Sequence, residues 1–202
     1  MKKALLIFLL LGVSLVTNSF KDEPIALVGN KISTFQLKGT DNTIFNLANA
    51  KDEKGYIVVF TCNHCPFAKL YTERLNALNS KYKALGVPLI AINSMDTVAY
   101  DQENFALMQQ RATSEHFNFP YLQDQQQTVA RNFNANRTPH AFVIWKENGE
   151  WVIRYDGAID DNGQEPKKAT PYVANAVDEL LKGKAVKNAE TSSIGCTIYF
   201  RK

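Results

Sequence analysis

The sequence predicts one α/β domain, a central mixed sheet flanked by helices, and three stretches carry that expectation. Tyr56–Phe60 and Val87–Ile92 are almost continuously apolar and rich in β-formers, as strands covered on both faces are. Between them Phe67, Leu70, Tyr71, Leu75, Leu78, Tyr82 and Leu85 recur at threes and fours, one stripe of an amphipathic helix stopped by Gly86. Strand, helix and strand then form a right-handed βαβ unit with a parallel pair. The third stretch joins Ala141–Trp145 to Trp151–Tyr155 through Asn148-Gly149, an antiparallel hairpin that makes the sheet mixed.

From the N-terminus, Lys2 and Lys3 precede the apolar run Ala4–Val16 and the small polar Thr17-Asn18-Ser19. This pattern reads as a secretory signal peptide over residues 1–19, followed by a domain from 20 to 202. The run is short for a bilayer span, so the expectation is export to a periplasmic or extracellular location, with no stable membrane span after cleavage. Ser33–Leu37 and Thr43–Leu47 alternate apolar with polar around Gly39-Thr40-Asp41-Asn42, an N-terminal β-hairpin. Asp101 caps an inserted helix with Phe105, Met108, Ala112 and His116 on one stripe, which makes packing the expected role of His116. Phe119–Leu122 reads as a short strand, and Asp124 with Gln127 as a capping pair for 125–133. Thr170 as cap, Pro171 at the first helical position and Gly183 as stop frame a last helix; the chain ends in the tail Gly195–Phe200.

The chain has 202 residues and a formal charge of +3, and loss of the leader removes Lys2 and Lys3, so nothing points to a nucleic-acid partner. A chain of this size buries a core without disulfide staples, so its 3 cysteines need another account. Cys62 and Cys65 stand where the first buried strand meets its helix, the end of an α/β sheet at which chemistry collects. Unpaired N–H groups at a helix N-terminus favour thiolate over thiol, and two intervening residues let the pair close a disulfide. The expectation is an exposed, anionic Cys62 and a shielded Cys65, with Pro66 in the first helical turn. His64, next to Cys65, is expected to place its imidazole near the Cys62 sulfur and stabilise that thiolate, which makes the disulfide more oxidising.

Cys62-Asn63-His64-Cys65 after a buried strand, with Thr138-Pro139 before Ala141–Trp145, resembles the thioredoxin fold. The N-terminal hairpin and inserted helix resemble its redoxin branch. Thr61-Cys62-Asn63-His64-Cys65-Pro66, Tyr155-Asp156-Gly157 with Asp160-Asp161, and Ile194-Gly195-Cys196 are similar to the peroxiredoxin-like thioredoxin family. The resemblance implies a thioredoxin-like fold, a cis peptide at Pro139 that presents the Thr138 backbone to a bound peptide, and a thiol–disulfide oxidoreductase without cofactor. Its partners would be protein thiols or disulfides and a recycling thiol–disulfide protein. Cys62 would form the mixed disulfide and Cys65 resolve it, with His64 and Pro139 completing the catalytic set and Thr61, Thr138 and Cys196 as accessories. The chain departs from the family pattern at three places. Neither cysteine has the peroxidase threonine three positions before it, Thr61 replaces the usual tryptophan, and Tyr56–Phe60 holds no buried acid.

Other readings compete. Cys62 and Cys65 with His64 or His140 offer donors for copper(I) or zinc, which would make a metal-binding or redox-sensing module. Peroxide reduction is a further alternative. Cys196 is either a packed small hydrophobe or a resolving cysteine brought back by the tail. Arg137 is a candidate for electrostatic help to a thiolate, or a solvated arginine, and a solvated turn accounts for Asp160 and Asp161.

Overall fold

The computed structural model describes residues 27–201, so the leader expected over 1–19 lies outside the described residues. The strands are β1 (Lys31–Ile32), β2 (Gln36–Gly39), β3 (Ile44–Asn46), β4 (Gly55–Phe60), β5 (Leu89–Asn93), β6 (Tyr121–Gln123), β7 (Arg137–Thr138), β8 (His140–Glu147), β9 (Glu150–Gly157) and β10 (Cys196–Thr197). The helices are α1 (Pro66–Lys69), α2 (Thr72–Tyr82), α3 (Phe105–Ser114), α4 (Thr128–Asn132) and α5 (Tyr172–Leu181). Eight strands form one sheet in the order β1-β9-β8-β4-β5-β6-β2-β3, and β10 pairs separately with β7. β4 runs parallel to β5 and β5 to β6, while β8 and β9 add antiparallel on one side and β2 and β3 on the other. This is the expected mixed sheet, in a thioredoxin-like fold.

Pleating divides the core between the two faces of the sheet. Ile57 and Val59 of β4 pack with Leu75 and Tyr82 of α2, Met108 of α3 and Val173 and Val177 of α5. Val58 and Phe60 point to the other side, against Val129 and Ala130 of α4 and Phe133, Phe142 and Ile144. Each such Val, Ile or Phe contributes roughly 1.5–3 kcal/mol by leaving water. The β8–β9 turn is as the sequence demands, with Asn148 at φ 51° and Gly149 at φ 84°. The N-terminal hairpin is present as β2–β3, with Leu37 opposite Phe45.

Three expectations are corrected. The stripe from Phe67 to Leu85 is not one helix: α1 ends at Lys69, α2 starts at Thr72, and a 3-10 turn covers Lys83–Leu85 before Gly86 at φ 83°. Hydrophobic period reports which side faces the core, not whether the backbone is continuous; Phe67, Leu70 and Leu85 are in fact exposed. Asp101 does not cap the inserted helix. It opens a 3-10 turn (Asp101–Glu103), and Asn104 is the cap, its side chain accepting from the Leu107 N–H at 3.0 Å. His116 lies past the helix end at φ 52°, exposed rather than packed, while Arg111 of the same helix is buried.

Candidate active site

β4 ends at Phe60 and carries the chain into the cysteine loop, with the Thr61 N–H bound to the Ile92 carbonyl at 2.9 Å and the Thr61 side chain buried. Cys65 is the N-cap residue of α1 and Pro66 its first helical residue, where a missing N–H costs nothing. The Thr138–Pro139 peptide is cis, as expected. Both sulfurs converge on Thr138: Cys62 Sγ is 3.2 Å from its hydroxyl oxygen and Cys65 Sγ 3.1 Å from its carbonyl oxygen. The cysteines are unbridged, and both are 0% exposed. The exposed Cys62 expected from sequence is therefore corrected. Cys196, Tyr100 and Phe200 pack against the cluster that holds the pair.

The loop is built around a carboxylate that sequence reasoning missed. Glu103, fully buried, accepts from the Asn63 N–H at 2.8 Å, the His64 N–H at 2.9 Å, His64 Nδ1 at 2.5 Å and the Asn93 amide at 2.6 Å. Asn63 extends the network, donating to the Gln102 carbonyl at 2.9 Å and accepting from the buried Tyr121 hydroxyl at 2.9 Å. Arg111 donates to the Cys62 carbonyl. The buried acid absent from β4 is thus supplied by the segment before α3, with no local sequence signal beyond an acidic turn. His64 is held by Glu103 and stacks on Tyr100 with ring centroids 5.0 Å apart.

These surroundings favour the negative charge on Cys65, where the sequence leads us to expect it on Cys62. The Cys62 thiol donates to Cys65 and brings its pKa down to about 4, against burial, with further help from the Cys196 thiol and from the Ala68 and Cys196 N–H groups. Cys62 is pushed up for the complementary reasons: it keeps the proton shared with Cys65, it is buried, and Glu103 is close. When protonated instead, Cys65 donates to the Thr138 carbonyl.

Pro139 lines a cavity of about 340 Å³ with Phe67, Leu70, Tyr172 and Ile194. His140 is not brought to the cysteines; its Nε2 pairs with Asp156 at 2.6 Å and its ring lies on Phe142. The metal set Cys62, Cys65 and His140 is therefore not assembled. Among the described residues the potential ligand atoms within 4.8 Å of one another belong to Cys62, His64 and Glu103. Those of His64 and Glu103 are already spent on each other and on the loop. Arg137 is exposed and donates to the Thr197 hydroxyl at 2.9 Å, pinning the tail rather than serving a thiolate. Asp160 is not a solvated turn residue: it is buried, paired with Arg74 at 2.6 Å and bound by the Tyr71 hydroxyl at 3.1 Å. Asp161 is exposed and accepts from the Thr170 N–H at 2.7 Å. Cys196 lies in β10 directly opposite Thr138.

A family model described as the AhpC/TSA family matches residues 28–161. A hypothetical protein of Sinorhizobium meliloti has a similar crystal structure at 33% identity and TM-score 0.78, covering 86% of this chain and 94% of its own. An uncharacterized conserved protein of Geobacillus kaustophilus is similar at 31% identity and TM-score 0.77, covering 86% and 92%. The peroxidoxin BcpB of Mycobacterium tuberculosis, at 19% identity, TM-score 0.51 and coverage of 63% and 82%, shares the fold. No curated protein matches the chain.

Proposed function

The chain belongs to the AhpC/TSA family, and from that premise we propose that it is a thiol–disulfide oxidoreductase exchanging disulfides with protein thiols through Cys62 and Cys65. The observation that carries this reading is the convergence of the two sulfurs on Thr138 beside Pro139, at the mouth of the helix that follows the first buried strand. The Cys65 thiolate attacks one sulfur of a partner disulfide, whose other sulfur leaves with the electron pair and takes a proton. Cys62 then loses its proton and attacks Cys65, closing the Cys62–Cys65 disulfide, and the second partner sulfur leaves with the electron pair and takes that proton, releasing the partner as its dithiol. Run backward, the same steps oxidise a partner.

We assign the attack to Cys65 and the resolving step to Cys62, the reverse of the order expected from sequence. Cys65 lies against the Thr138 carbonyl, opposite which β10 pairs, while Cys62 lies beside His64 and Glu103. Phe67, Leu70 and Ile194 stay exposed around the Pro139 cavity, apolar surface suited to a protein partner. A recycling thiol–disulfide protein would restore the starting state. We place the enzyme outside the cytoplasm, on the leader read at residues 1–19; among the described residues no helix is long and apolar enough to cross a membrane.

Reduction of insulin disulfides tests the reading, together with trapping by the Cys62→Ser/Cys196→Ser variant, which keeps only Cys65. We expect catalysed reduction by the wild type and insulin adducts on the variant that dithiothreitol removes. Activity no higher than that of a cysteine-free variant, with no adduct, overturns it.

A further inference from the structure

The backbone edge that a substrate would pair with is already taken by the chain itself. β10 lies antiparallel to β7 with Cys196 opposite Thr138 and Thr197 opposite Arg137. Adding an extended segment to a free strand edge is a general mode of peptide capture. The fit is close: a Cβ at Gly195 would sit 2.1 Å from the Thr138 carbonyl oxygen, the same oxygen that lies 3.1 Å from Cys65 Sγ. Beyond the cysteine, Ile198 is buried and its N–H is bound to the Asn136 carbonyl at 3.0 Å. Gln127 holds the rest, donating to the Tyr199 carbonyl and accepting from the Arg201 N–H, both at 2.8 Å.

We propose that Gly195–Ile198 is a tethered substrate strand, seated where protein substrates pair, and that Cys196 exchanges with the Cys62–Cys65 disulfide. The proposal rests on the oxidoreductase reading and names its substrate class. External substrates are extended segments with a small residue before the cysteine and an apolar residue two positions after it, and they bind by displacing the tail. In the exchange Cys196 loses its proton and attacks Cys65. The Cys65–Cys196 bond forms, the Cys62–Cys65 bond breaks, and Cys62 leaves with the electron pair and takes a proton. No electrons are gained or lost. Besides the strand pairing, the Cys196 thiol and N–H are among the groups that lower the Cys65 pKa. The closed strand also accounts for a dithiol that is wholly buried at rest.

The test oxidises Cys62→Ser with diamide, which takes two electrons and two protons from a pair of thiols, and maps the bonds by peptide mass spectrometry. An intramolecular Cys65–Cys196 disulfide is expected. Gly195→Ala in the same background should abolish it, because the strand no longer seats. Arg137→Ala, which removes only the exposed pin on Thr197, should speed Cys65 alkylation about fivefold in the wild-type background, the effect of one lost hydrogen bond. Two free thiols or only intermolecular bonds in Cys62→Ser would overturn the proposal, as would unchanged alkylation in Arg137→Ala. The wild type separates the two levels: if it forms Cys62–Cys65 and reduces insulin while Cys62→Ser stays open, only the tethered strand is lost. If it does neither, both readings fall.

Discussion

Glu103 spends both carboxylate oxygens on the cysteine loop, two donors to each. A glutamine there offers one acceptor and turns N–H groups toward donors that are already buried, so Glu103→Gln should cost about 2–3 kcal/mol in urea unfolding. It also removes a charge that holds the Cys62 proton in place, and Cys62 should titrate lower in the variant. The wild-type pair makes a separate prediction. With Cys65 anionic above about pH 4 and Cys62 still protonated, reduction of the disulfide takes up one proton. Its midpoint potential should fall by about 30 mV per pH unit between pH 5 and 8, half the slope of a pair that takes two. A slope near 60 mV, measured against glutathione, would show that Cys65 is an ordinary thiol. Cys62, Cys65 and Pro139 were legible because each sits at a junction marked by neighbouring residues. Glu103 was not, because it reaches the loop across 40 positions and only the fold reveals the donors converging on it.

Elements follow the same division. The β8–β9 hairpin was readable because Asn148-Gly149 supplies the left-handed pair that a two-residue turn needs, a purely local requirement. The break between α1 and α2 was not, since the apolar period carries on through Leu70 and Tyr71. Here Tyr71 reaches Asp160, and tertiary contact overrides the pattern. β10 is two residues long and gains its identity only from β7. The end of β9 offers a test of such long-range fitting. Gly157 stands at φ 152°, and a Cβ there would lie 2.4 Å from the Thr191 carbonyl oxygen. Gly157→Ala should therefore lower stability by more than about 2 kcal/mol, read as a shift in urea midpoint. Gly149→Ala, in the open turn with nothing within 4 Å, should cost only about 1 kcal/mol for its positive φ.

At the scale of the molecule, the two core layers fix β4, α1 and β8 relative to one another, and redox state enters global stability through the sulfurs they position. In the reduced protein Cys65 is lowered from the ordinary thiol value of 9.0 to about 4. Between those values the unfolded chain binds a proton that the native one does not, so stability rises with pH across the window. That contribution is complete above pH 9 and lost as pH falls through 4. Cys196, raised to about 11, acts in the opposite sense: its contribution is complete below 9 and lost as pH rises to 11. Cys62, also raised, works in the same direction as Cys196. The reduced protein should therefore gain stability from pH 5 to 8 and lose it again above 9. The Cys62–Cys65 disulfide form has neither sulfur free to titrate and keeps only the fall above 9. Urea unfolding of both forms at pH 5, 7, 8 and 10 measures the difference between them. Parallel curves from pH 5 to 8 would mean that the fold does not hold a thiolate, and would remove the physical basis for exchange at Cys65.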